Sequence, residues 1–98
     1  MAEVFDYKNI TQGDPTTTVV KVGQGILHSI AFNTPVATAK IVIYDGTQGT
    51  EAIEGVIIGT IVVPASPQPN TLYYDIAFQT GLILVSSTVD QDITVSYR

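Results

Sequence analysis

Cysteine and tryptophan are absent from this chain, histidine and methionine occur once each, and lysine and arginine together number four among 98 residues. Without cysteine there is no disulfide, no thiolate metal site and no thiol nucleophile. A single histidine, His28, excludes a multi-histidine metal cage within one chain. The basic side chains Lys8, Lys21, Lys40 and Arg98 face nine acidic ones, and the net charge of −5 is the wrong balance for gripping phosphate, so no nucleic-acid partner is expected. Charged residues make up 13% of the chain, about half the usual share. The longest near-apolar run, residues 56–65, is interrupted by Gly59, Thr60 and Pro64 and is too short to cross a bilayer as a helix. Residues 1–10 mix Glu3, Asp6 and Lys8 into an alternating pattern without an apolar stretch, so neither a targeting segment nor a membrane partner is expected.

What is present is strand-forming. Val, Ile, Thr and Tyr dominate, and their branched or aromatic side chains suit a pleated surface. Turn residues recur at Gly13-Asp14-Pro15, Gly23-Gln24-Gly25, Asn33-Thr34-Pro35, Asp45-Gly46, Thr80-Gly81 and Asp90. Prolines at 64, 67 and 69 stiffen the stretch 64–70 into an extended crossover. The spacing predicts one all-β domain over residues 1–98, an antiparallel β-sandwich of about eight strands, jelly-roll or Greek-key like. The strands are expected at 4–10, 17–22, 26–33, 38–44, 56–63, 72–79, 82–87 and 93–97, with residues 1–6 free to act as an N-terminal arm. Thr80-Gly81 suits a tight hairpin.

Two of these strands carry apolar residues on both faces. In Leu82-Ile83-Leu84-Val85, one alternate pair must line the core and the other an interface, and the pattern does not say which. Val56-Ile57-Ile58 and Ile61-Val62-Val63 behave alike, through a bulge near Gly55 or Gly59 or through a second face that meets another chain. Val56, Ile58, Val62, Ile83 and Val85 are therefore the candidate protein–protein interface, and the small, disulfide-free body favours a homo-oligomer.

Chemistry-bearing residues are few. His28 is placed on a strand face with Ile26, Ile30 and Phe32, where a histidine hydrogen-bonded within the fold is the ordinary role. The serines at 29, 66, 86, 87 and 96 lack a nucleophile-elbow context. The pairs Glu51/Glu54 and Asp90/Asp92 fall short of the oxygen count a calcium site needs and read as solvated loops. Gly23-Gln24-Gly25 lacks the lysine and helix of a phosphate loop. Asn9-Ile10-Thr11 matches the glycosylation triplet, which has no meaning without a secretory route. Tyr44, Tyr73 and Tyr97 would supply a sugar platform if they shared a sheet, and only one of Tyr73 and Tyr74 can face outward. No catalytic, cofactor-binding or metal site is assigned, and the chain is not expected to be an enzyme.

Several segments carry a resemblance. Asn9-Ile10-Thr11, the run from Thr16 to Lys21, Gly25-Ile26-Leu27-His28-Ser29-Ile30, Ile41-Val42-Ile43-Tyr44-Asp45-Gly46-Thr47, the run from Leu72 to Phe78 with Gly81-Leu82, and Asp92-Ile93-Thr94-Val95-Ser96-Tyr97-Arg98 together resemble small β-sandwich virion proteins of tailed bacteriophages. The resemblance extends from Tyr7 to Arg98. It implies a decoration or cement protein, made in the host cytoplasm, that binds the major capsid protein at the capsid surface and stabilises the assembled head. A trimer is favoured over a dimer. The alternatives are a tail, baseplate or fibre component, or a glycan-binding module.

Overall fold

The branched and aromatic residues form eight strands: β1 (Asp6–Ile10), β2 (Thr17–Val22), β3 (Gly25–Thr34), β4 (Lys40–Gln48), β5 (Ile53–Val62), β6 (Asn70–Phe78), β7 (Gly81–Ser86) and β8 (Asp92–Tyr97). The structure, a computed structural model, describes residues 5–11, 16–48, 53–88 and 92–98, and among these there is no helix. The expected start of the first strand at Val4, most of the N-terminal arm, the Gly13-Asp14-Pro15 turn, Glu51 and Asp90 lie outside the described residues.

Two four-stranded antiparallel sheets form, β1-β8-β3-β6 and β2-β7-β4-β5. Strand pairs 4:5, 3:6, 2:7 and 1:8 describe one long hairpin rolled onto itself, which is jelly-roll topology. Among the described residues, β4 and β5 are the one pair of consecutive strands that also pair in a sheet. The Gly23-Gln24 and Gln79-Thr80 turns are therefore arches between the sheets, and the hairpin expected at Thr80-Gly81 does not form. The same turn residues serve both purposes; the difference is set by which strands the arch feeds.

Asp45 shows how the arches are fixed. Its carboxylate accepts from the backbone N–H groups of Gln79 (2.8 Å), Thr80 (2.8 Å) and Gly81 (3.3 Å). The N–H of Gly23 in turn donates to the Thr80 carbonyl at 2.9 Å, tying the two arches together. Asp45-Gly46, expected as a turn, thus continues β4, because the carboxylate serves a distant turn rather than its own. Gly46 faces Gly55 across the β4–β5 ladder, and a Cβ on Gly46 would lie 2.7 Å from the Gly55 Cα. Gly46→Ala is expected to lower stability by about 1–3 kcal/mol, the usual cost of overpacking against backbone that cannot yield, measured by thermal unfolding. At its other end β4 begins two residues later than expected, since Thr38 has a φ of 61°, which ends the extended run.

The hydrogen bond from Gln79 leads the three that hold the Asp45 carboxyl below its ordinary value, with burial opposing them. A depressed carboxylate contributes stability above its unfolded value and loses it as pH falls through the folded one. Asp45→Ala is expected to cost about 1–2 kcal/mol near neutrality, a solvated turn keeping it at the low end for charge-assisted hydrogen bonds. The difference between variant and wild type should shrink below the ordinary carboxylate range in an acid titration of stability; a gap that stays constant would contradict it.

The core between the sheets is built by Leu27, Ile30 and Phe32 of β3, Ile41 and Ile43 of β4, Leu82 and Leu84 of β7, and Ile93 and Val95 of β8, with Phe78 at one end. The accessible surface of 5739 Å² is close to the roughly 5,400 Å² expected of a folded monomer of this mass, so one chain closes its own core.

Candidate functional site

Cross-strand register assembles the outer face of β2-β7-β4-β5. Val19, Ile83, Tyr44 and Ile57 form one row across all four strands, and Thr17, Val85, Val42 and Thr60 form the next. Lys40 and Val62 pair beyond them, and Val22 pairs with Gly81 at the other end. Neither central row contains a charged residue. Val19 is 42%, Ile57 54%, Val62 67% and Val22 81% exposed, and Tyr44, Val42 and Val85 are half-buried. A solvated sheet face ordinarily alternates apolar-in with polar-out; here most outward positions of the central rows are apolar too, the exceptions being Thr17 and Thr60.

The five interface residues from the sequence divide. Ile83 and Val85 are the outward pair of β7, and Leu82 and Leu84 the core pair. Ile83 is wholly covered at the centre of the face, flanked by Val19 and Tyr44, so the exposed atoms belong to its neighbours. Val62 is exposed on the same face. Ile58 turns toward the core because β5 carries one extra residue between the Ile43–Gly59 and Tyr44–Ile57 pairs, a bulge beside Gly59. Val56 is exposed but pairs with Asp45, one residue out of phase with Ile57, at the end of the sheet. Val19, Tyr44 and Ile57 complete the face and were missed in the sequence. Alternation in β2 and β4 marks Val19 and Tyr44 as partners of each other's face, but only the register shows that they flank Ile83.

The outer face of the other sheet differs in chemistry. Leu27 and Ile30 are both in the core although three residues apart, because β3 bulges at His28. His28 therefore leaves the face of Ile30 and Phe32 to which alternation assigned it. Its Nδ1 lies 2.6 Å from Oδ1 of Asp75, and since a carboxylate only accepts, Nδ1 carries the proton in this contact. Phe5 stacks on the imidazole, with centroids 4.2 Å apart, and Tyr73 meets it edge-on at 5.7 Å. Asp75 has a φ of 49°, a left-handed conformation set where two β6 residues oppose His28.

Among the described residues no hydrogen bond joins a nucleophile to this His–Asp contact; the neighbouring hydroxyl, Ser29, is 7% exposed and sits in the β3–β8 ladder opposite Ser96. The arrangement orients a ring rather than activating one. Tyr73 is exposed and Tyr74 turned inward, where burial raises its phenol above the ordinary value. Tyr44 lies on the opposite sheet, and Tyr97 packs against the core, so the three-tyrosine platform does not assemble. An open groove of about 410 Å³ at the end of the sandwich is lined by Lys21, Gln24, Phe78 and Arg98 among others, and none of its lining side chains is a carboxylate, imidazole or hydroxyl. Among the described residues no three His, Cys, Asp or Glu converge as a metal site.

Compared with known proteins, the sequence matches no family model and no curated protein.

Proposed function

We propose that the chain is a structural virion protein that decorates and stabilises an assembled bacteriophage head, acting by binding rather than catalysis. The observation that carries this reading is the apolar outer face of β2-β7-β4-β5, whose two central rows carry no charge, on a body that already closes its core alone. Such a face, left in water, has an apolar contact as its best use. The sequence resemblance to small phage β-sandwich proteins supplies the setting, and jelly rolls are frequent among capsid proteins, an association of fold rather than of site.

In this reading copies pack through that face as a homo-oligomer, a trimer, seated on the major capsid protein at the head surface. Each contact is modest, and neighbouring copies on one lattice raise each other's effective concentration. Because the face is apolar, raising salt should release little protein from the shell, whereas a contact built on exposed ion pairs would weaken steeply. Bound only to the intact lattice, the protein should raise the temperature at which shells rupture, by mass action. The test of the assignment is the copy number in purified virions: a count on the order of hundreds supports the head, and a handful places the chain in the tail or fibre.

A further inference from the structure

The outer face of β1-β8-β3-β6 holds a second candidate site, independent of the apolar face. One cross-strand row reads Tyr7, Ser96, Ser29, Tyr73. The tyrosines stand on the two edge strands, 73% and 70% exposed, and the serines between them are small. Three strand spacings separate the rings' backbones by about 14 Å. The result is a trough along the strands with aromatic walls, its floor formed by the half-buried Ser96 while Ser29 is buried. The floor continues through Thr94 and Ala31, the partners of Asn9 and Thr71 in the next row.

Asn9 of that row converges with Asn33 of β3. Their Nδ2 groups donate to Oδ1 of Asp92 at 2.9 and 3.3 Å and to the Thr94 hydroxyl at 3.2 and 3.0 Å. Each amide is thereby oriented, with its oxygen left to accept. At the opposite end, Tyr73 is braced by the His28 ring, which Phe5 and Asp75 hold in place. A braced aromatic ring loses little entropy when a ligand lands on it.

We propose that this trough binds an uncharged oligosaccharide. Sugar rings offer apolar C–H faces to tyrosine and hydroxyl groups to Ser, Thr and Asn, which is the set of groups present. Neither of its two central rows contains a charged side chain; the carboxylates of Asp75 and Asp92 flank them, and the exposed Arg98 stands one alternate position beyond Ser96, so the rows themselves suit a neutral ligand rather than a sulfated or phosphorylated one. A small hydroxyl floor gives a folded protein partner little apolar area to bury.

The test is an amide NMR titration of the full chain with cellohexaose and maltohexaose, and with a heparin hexasaccharide as the anionic comparison. Saturable shifts at Tyr7, Ser29, Tyr73 and Ser96 with at least one neutral sugar, and weaker ones with heparin, are expected. Tyr73→Ala should weaken binding about tenfold, the size of one lost aromatic contact, while Tyr73→Phe keeps it. Should Tyr73→Ala fail to fold, Tyr7→Ala at the opposite wall decides the matter with the same expected loss. No shifts with either neutral sugar, shifts confined to the other sheet, tighter binding of heparin, or wild-type affinity in the alanine variant would overturn the proposal.

Discussion

Ile57→Asp and Val62→Asp are expected to abolish self-association while leaving the monomer folded. Both side chains are more than half exposed on the outer face of β2-β7-β4-β5, so a charge there stays hydrated in the free chain and stability should change by no more than about 0.5 kcal/mol. In the assembled state the Ile57→Asp carboxylate would be buried in an apolar contact without a partner, whereas at position 62 the cross-strand neighbour Lys40 offsets part of that cost, so the larger loss is expected at Ile57. A penalty of about 2–4 kcal/mol corresponds to roughly 30- to 700-fold in affinity. Sedimentation velocity and thermal unfolding on the same samples separate the two effects. Equal association of variant and wild type would show that the face is left open to water.

The two alternate pairs of β7 give the second large effect. Leu84 is 2% exposed and part of the core, so Leu84→Ala should cost about 2–5 kcal/mol through lost burial and the cavity left behind. For a domain of this size each kcal/mol lowers the melting temperature by about 4–8 °C. Val85→Ala, on the outward face, should cost the monomer under about 1 kcal/mol and weaken association instead. The reverse pattern in calorimetry, a tolerant Leu84 and an intolerant Val85, would mean that the core lies on the other side of the sheet.

That assignment of faces marks the limit of what the sequence could say. Strand composition and turn spacing were enough to place all eight strands and the β-sandwich, because branched residues and their punctuation act locally. Alternation in β7 showed two apolar pairs, but which pair lines the core depends on the opposite sheet. His28 and Ile58 were misplaced for a related reason. A bulge is defined by the partner strand's register, and one extra residue moves everything beyond it to the other face. The arches at Gly23-Gln24 and Gln79-Thr80 read as ordinary tight turns for the same lack of partner information, as did Asp45-Gly46, whose carboxylate serves residues 34 to 36 positions away. The Tyr7–Tyr73 trough joins residues from strands at opposite ends of the chain, so nothing local marks it, although one exposed tyrosine of the Tyr73-Tyr74 pair was foreseeable from alternation.

A reconstruction of a phage particle carrying this protein tests the central proposal most directly. The account predicts the chain on the head shell in many symmetry-related copies, with Val19, Tyr44, Ile57 and Val62 buried against a neighbouring chain. A particle in which the chain sits in the tail, or in which that face stands open to solvent on the shell, would contradict it.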